Sequence, residues 1–411
     1  MTRRPSLRSG AALVVGIMLG AALTIAVQSA GLQPAAPGRH QGSPDPSIPV
    51  TGQERPTTFL AWAPAGIPGG FGARVRALDG IDHVTVVAED NTWMTRSWTA
   101  DGEVADRPRA PYAIPIDAAA VDTESFADFL PPDDRGLLVD LAAGQGILGA
   151  TSAELRGLGP GAALRFRTGA KVTIAGVLPD ELVGASELMV SKATGARIGV
   201  THERYLLLQP SPGRLPASRR LSTRLRTLLP PSLSPTYRKV QVRAPGETPY
   251  LREGDAVLPP VLIKVLFGEF AAMDDPTRLG YLRLDPAWVR HHIVTTTVPI
   301  LGRVTCNEAL IPQLRGAMSA LERRGLAGTI HVFNGCFAPR YINRNASNLI
   351  SHHAWGIAFD CNAASNPFGL PPHQDPRLVR VMARWGFIWG GTFIVPDGNH
   401  FEYRFSPSSA A

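Results

Sequence analysis

The sequence predicts a chain of mixed α and β structure: an N-terminal membrane helix, then a separate α/β domain, then an α+β domain. Three observations predict it. An uncharged run from Ala11 to Val27 follows Arg3, Arg4 and Arg8. Short β-branched runs alternate with helical patterns between residues 57 and 244. From residue 261 the chain grows richer in His, Trp and Phe, with alternating apolar segments between helical stripes.

Residues 1–30 read as a signal anchor. The apolar run is short but close to the ~20 residues that cross a hydrocarbon core. Arginines before it hold the N-terminus in the cytoplasm and send the remainder out. A cleaved signal peptide is the alternative, with small residues at Ser29 and Ala30. Either way the bulk of the chain is expected outside the cytoplasm. A linker rich in Pro, Gly and Ser follows over residues 31–56.

Composition bounds what the folded part can be. The chain has 411 residues, 44% of them apolar, enough for a core. Gly (41) and Pro (37) are abundant, but fall short of the ~25–30% combined share that marks disorder. Lys and Arg number 41 against 34 Asp and Glu, a net charge of +7. No basic stripe with interleaved aromatics accompanies it, so no nucleic-acid partner is expected.

In residues 57–244, strands are predicted at His83–Val87, Leu137–Leu141, Lys171–Val177, Tyr205–Leu208 and Lys239–Val242. Helices are predicted at Ser152–Leu158 and at Ala217–Leu229, which ends at Pro230-Pro231. Gly144-Gln145-Gly146-Ile147-Leu148-Gly149 fits the glycine pattern of a dinucleotide turn. The acidic residue expected about 20 positions later is missing; Thr168, Gly169 and Ala170 stand there. We therefore read a glycine-rich turn and no nucleotide cofactor. Residues 144–208 resemble the extracytoplasmic domain of exporter-type ABC permeases, which implies an interaction module without chemistry of its own. A second linker spans residues 245–260.

The chemistry lies in residues 261–411. Residues 351–360 read Ser-His-His-Ala-Trp-Gly-Ile-Ala-Phe-Asp, and Asp397-Gly398-Asn399-His400-Phe401-Glu402-Tyr403 follows. The segment between His353 and Asp360 is predicted as a strand. In a second strand His400, Glu402 and Arg404 share one face, and Phe401, Tyr403 and Phe405 the other. Two adjacent strands thus present two imidazoles and one carboxylate to one point. His353, Asp360 and His400 form a three-ligand set for a single zinc ion, the composition of a catalytic rather than a structural site. Zinc lowers the pKa of bound water toward about 7. Asp397, three residues before a ligand, is placed to be the general base, although Pro396-Asp397-Gly398 is also turn chemistry. Glu402 is either an acceptor for a ligand imidazole or a partner in an ion pair. Ser351 is a candidate substrate contact, and Arg340 a candidate partner for a peptide carboxylate. His352 is read as structural. His291, His292, His331 and His373 lack a companion pattern.

The motif Ser351-x-His353-x-x-Gly356-x-Ala358-x-Asp360 with Asp397-x-x-His400-Phe401-Glu402 resembles the D-alanyl-D-alanine carboxypeptidase / L-alanyl-D-glutamate peptidase family of zinc metallopeptidases. The likeness extends back through Gly335-Cys336-Phe337-Ala338-Pro339-Arg340-Tyr341-Ile342 and includes Arg384-Trp385-Gly386-Phe387-Ile388-Trp389-Gly390-Gly391. It implies a small α+β fold with a central antiparallel sheet and hydrolysis of peptidoglycan stem peptides. It implies His353, Asp360 and His400 as zinc ligands, Asp397 as the catalytic carboxylate and Arg340 as the catalytic and substrate-binding arginine that contacts substrate or its polarised carbonyl. Asp rather than Glu at 397 leaves open whether a D-alanyl-D-alanine or an L-alanyl-D-glutamate bond is cut. A zinc-containing module that binds cell wall without cleaving it is the alternative. The resemblance also implies a Cys306–Cys336 disulfide, with Cys361 buried and reduced. No Gly-x-Ser-x-Gly is present and no Lys stands three residues after a Ser, which argues against a serine peptidase.

Two helices flank the motif. Asp375-Pro376 supplies an N-cap and first turn, and Leu310, Leu314, Met318 and Leu321 make an apolar stripe before Gly325.

Overall fold

A computed structural model describes residues 57–213, 216–247, 250, 252 and 258–404, which lie in one compact unit spanning residues 52–411. The anchor predicted over residues 1–30 and the linker over 31–56 lie outside the described residues. So does part of the 245–260 linker. Among the described residues, no helix is long and apolar enough to cross a membrane.

Nine strands form the first sheet: β1 (Phe59–Trp62), β2 (Ile81–Trp98), β3 (Ile114–Val121), β4 (Gln145–Gly149), β5 (Ala163–Phe166), β6 (Lys171–Leu178), β7 (Leu188–Ser191), β8 (Glu203–Pro210) and β9 (Gln241–Arg243). Their order is β3-β7-β4-β6-β5-β2-β8-β1-β9, and β2 also pairs with β3. One long strand thus closes part of the sheet into a barrel and carries β8, β1 and β9 as an extension. Closure removes edges that would otherwise template aggregation. The barrel interior is apolar, with Leu148, Leu164, Phe166, Ile174, Leu188 and Val190 in one cluster.

Several sequence expectations are corrected here. The strand expected at Leu137–Leu141 is instead largely the end of a helix, Pro132–Val139. Proline in its first turn with Asp133 and Asp134 behind it is a helix start, and this outweighs the short apolar run. The strand expected at His83–Val87 is the first part of β2, which is 18 residues long. Gly146, Gly149 and the residues between them lie within β4 rather than in a turn. A Cβ on Gly149 would stand 2.7 Å from the Ser186 carbonyl oxygen, so close packing explains this glycine.

The remaining strands are two hairpins and a small sheet. The hairpins are β10 (Ala272–Asp274) with β11 (Leu282–Leu284), and β12 (Ile293–Val298) with β13 (Gly302–Asn307). The sheet contains β14 (Phe333–Gly335), β15 (Ala358–Cys361), β16 (Phe387–Trp389) and β17 (His400–Tyr403), in the order β14-β15-β17-β16 and antiparallel throughout. Its apolar face meets the helices Ile311–Arg323 and Pro376–Arg384, whose Leu314, Met318, Leu321, Leu378 and Met382 are fully buried. The Asp375 carboxylate caps the second helix by accepting from the Arg377 backbone N–H.

Charges knit the barrel to the C-terminal part. Arg156 lies 2.7 Å from Glu187 and 2.5 Å from Glu269, and Lys264 lies 2.6 Å from Glu187 and 2.9 Å from Glu269. Arg252, within the predicted second linker, is buried and pairs with Asp117 and Glu89. Removing one partner from such a buried set strands the others, at a cost of about 3–5 kcal/mol.

Candidate metal centre

Pleating decides which side chains meet. On β15 and β17, Asp360 and His400 are register partners, as are Phe359 and Phe401. Phe359 and Phe401 stack at 5.4 Å on the core face. Asp360 and His400 therefore face the other way, with Asp360 Oδ1 3.0 Å from His400 Nδ1.

His353 reaches the same point from a different element. The strand expected from His353 to Asp360 is corrected: residues His352–Ala354 form a 3₁₀ turn and β15 begins only at Ala358. Gly356 causes the break, at φ 68 and with no room for a Cβ, which would lie 2.7 Å from the Asn307 nitrogen. Ser351 caps the turn; it is buried, and its hydroxyl accepts from the His353 backbone N–H at 3.4 Å.

Each imidazole is oriented through its far nitrogen. His353 Nδ1 donates to the Cys336 carbonyl at 2.7 Å, and His400 Nε2 donates to Glu402 Oε2 at 3.1 Å. Cys336 is itself fixed by its disulfide to Cys306, while Cys361 is a free thiol in the core whose pKa burial pushes up to about 12. These donations leave His353 Nε2 and His400 Nδ1 aimed at Asp360. His353 Nε2 is buried 3.3 Å from Asp360 Oδ1 without an aligned hydrogen-bond partner. One ligand atom from each of the three residues lies within 4.8 Å of the others. Two ring nitrogens converging on a buried carboxylate make a site for a cation, a proton or a metal ion, and two imidazoles with one carboxylate suit zinc. The residues present therefore fit the ion.

Protonation follows the same logic. Burial alone disfavours the Asp360 carboxylate, but the His353 and His400 rings beside it outweigh that and hold the group well below the usual range. Burial likewise disfavours charge on His400, yet Asp360 and Glu402 push its pKa up to about 10. Glu402 also stands 3.0 Å from His352 Nδ1. Replacing Glu402 with Gln is expected to weaken zinc binding about 10–100-fold, since the neutral amide orients His400 less well. Competition with a chromophoric chelator measures this directly.

Asp397 and Arg340 flank the centre. Burial raises the Asp397 pKa; His400 opposes this, the nearby Asp360 charge adds to it, and His353 and Arg340 oppose it. Asn399 Nδ2 donates to Asp397 Oδ1 at 2.6 Å and to the Asn366 carbonyl at 3.2 Å, fixing the carboxylate. Sequence reasoning passed over Asn399, although it sits inside the motif between Asp397 and His400. Arg340 is partly buried, and burial lowers its pKa; Asp360 opposes this most strongly.

The model of the D-alanyl-D-alanine carboxypeptidase family matches residues 344–403, the segment that holds all three candidate ligands and Asp397. No curated protein matches the chain. Among solved structures, the periplasmic region of MacB from Actinobacillus actinomycetemcomitans is similar over 46% of this chain and 88% of its own, at 13% identity and a TM-score of 0.31. The extracellular domain of the ABC-type transporter YknZ from Gram-positive bacteria is similar over 38% of this chain and 84% of its own, at 17% identity and a TM-score of 0.26.

Proposed function

We propose that the protein is a zinc-dependent peptidase that hydrolyses peptidoglycan stem peptides outside the cytoplasm, held at the membrane by its N-terminal segment. The observation that carries this reading is the convergence of His353, His400 and Asp360, one ligand atom from each within 4.8 Å of the others, with each imidazole held by an acceptor at its other nitrogen. Zinc held there would polarise the scissile carbonyl and acidify water at neutral pH. The chain's own residues supply the rest. Asp397 accepts the proton of the attacking water and returns it to the leaving amine. Burial, which raises its pKa, suits it to both transfers. The Arg340 guanidinium binds a substrate carboxylate or the oxygen on which charge develops.

Digestion of purified peptidoglycan followed by mass spectrometry of the muropeptides tests the reading. Loss of one terminal alanine indicates carboxypeptidase action, and a deeper cut indicates the endopeptidase branch. Either product should vanish on chelation and return with zinc. Unchanged masses with and without zinc would overturn the proposal and leave a wall-binding module.

A further inference from the structure

Two loops carry the groups that flank the metal centre, and both are gripped by the first sheet. Residues 340–351 fold back on themselves: Ser351 N–H donates to the Arg340 carbonyl at 3.0 Å, Tyr341 bridges to Ile350, and Ile342 N–H donates to the Leu349 carbonyl at 2.9 Å. This stem sets Arg340 beside the turn that bears His353. At its tip, Asn343 and Arg344 have φ of 56 and 55; asparagine tolerates the left-handed region, whereas arginine does not favour it.

The start of this loop is held by the β10–β11 hairpin, where Tyr281 bridges to Arg340 and the Tyr341 N–H donates to the Gly280 carbonyl at 3.1 Å; its returning half is held by β2 and β8. Asn91 Oδ1 on β2 accepts the Ile350 N–H at 2.9 Å. Arg204 on β8 donates to the Ser347 carbonyl at 2.7 Å. Its guanidinium is itself fixed by Asp90 Oδ1 at 2.9 Å and the Glu89 carbonyl at 2.7 Å. The second loop, residues 390–397, bears Asp397 and is held separately. Lys239, just before β9, donates to the Ile394 carbonyl at 2.9 Å, and Ile394 packs against a cluster containing Leu60, Trp62, Tyr205 and Leu207. The four strands involved are consecutive in the sheet, β2-β8-β1-β9.

We infer that the first sheet is the positioning scaffold of the active site, with Arg204 setting the Arg340 loop and Lys239 setting the Asp397 loop. The inference rests on the peptidase reading above for its kinetic form. Arg204 and Lys239 are positioning residues: neither is among the metal ligands, and each acts through a backbone carbonyl of the loop it holds. The two grips act on different functions, so their loss is separable. The Arg204 grip governs how substrate is held, and the Lys239 grip governs how the proton acceptor is aimed.

Full-length, zinc-loaded Arg204→Met and Lys239→Met variants test this, with Arg204→Lys and Lys239→Arg as variants that keep a donor. Arg204→Met should lower kcat/KM about tenfold, and Lys239→Met should lower kcat about tenfold at unchanged KM. Zinc content should be that of the wild type in both. Amide hydrogen exchange should quicken at 341–350 only in the first and at 390–397 only in the second, and the donor-keeping variants should restore much of the loss. Unchanged exchange at both loops would overturn the inference, as would a rise spread evenly across the loops and β4. Wild-type protein without hydrolytic activity would instead sink the peptidase reading, and the exchange data would still decide the positioning role.

Discussion

Replacing Asp397 with Asn should abolish most turnover and leave the metal in place. The substitution keeps size and one oxygen acceptor, so the 2.6 Å bond from Asn399 Nδ2 can survive. It removes the basic oxygen that takes the proton. A positioned general base contributes about 10²–10⁴ in rate, so kcat should fall by that factor. KM should move little, because Asp397 is proposed to act on water rather than to bind the peptide. Zinc content should be unchanged, since the candidate ligands are His353, Asp360 and His400. Metal analysis alongside single-turnover kinetics on a stem peptide checks both halves. Wild-type rates in the variant would place the base elsewhere; loss of metal would make Asp397 a fourth holder of the ion.

The convergence of the candidate ligands was legible in sequence because its signal is local. Asp360 and His400 stand on alternating strands, and alternation tells which side chains share a face. The Asp375-Pro376 cap and the Leu310 to Leu321 stripe are likewise near-neighbour patterns, and both mark real helices. What sequence could not give depends on partners far along the chain. Glu89, Asp90 and Asn91 interrupt any apolar alternation in β2. Asn91 finds its partner 259 residues away at Ile350, and Arg204 finds Ser347 143 residues away. A run of polar residues reads as a loop until those partners are known. The 3₁₀ turn at His352–Ala354 was missed for a different reason: alternation runs through His353 to Asp360 on paper, and only the positive φ at Gly356 breaks it.

Zinc binding by the metal-free protein should release a proton near neutral pH, and its apparent affinity should climb with pH. In the metal-free protein a proton does the work of a cation. Burial by itself lowers the pKa of His400, but the carboxylates of Asp360 and Glu402, at 3.0 and 3.1 Å, outweigh it and raise the value to about 10. The His400 charge therefore adds stability in full below the unfolded value near 6.5, and this is lost as pH rises toward about 10. Asp360, held low, adds stability that is lost only in acid, as pH falls below its unfolded value of 3.8. Metal at Nδ1 requires neutral imidazole, so between about 6.5 and 10 each binding event must expel the His400 proton. Apparent zinc affinity should accordingly rise about tenfold per pH unit across that window. Titration calorimetry in buffers of different ionisation enthalpy counts the protons released. Replacing Glu402 with Gln removes one of the two charges that favour His400⁺, so the variant should release fewer protons at pH 7 even as its oriented imidazole is lost. Proton release equal in wild type and variant would mean that the Glu402 carboxylate does not help hold that charge.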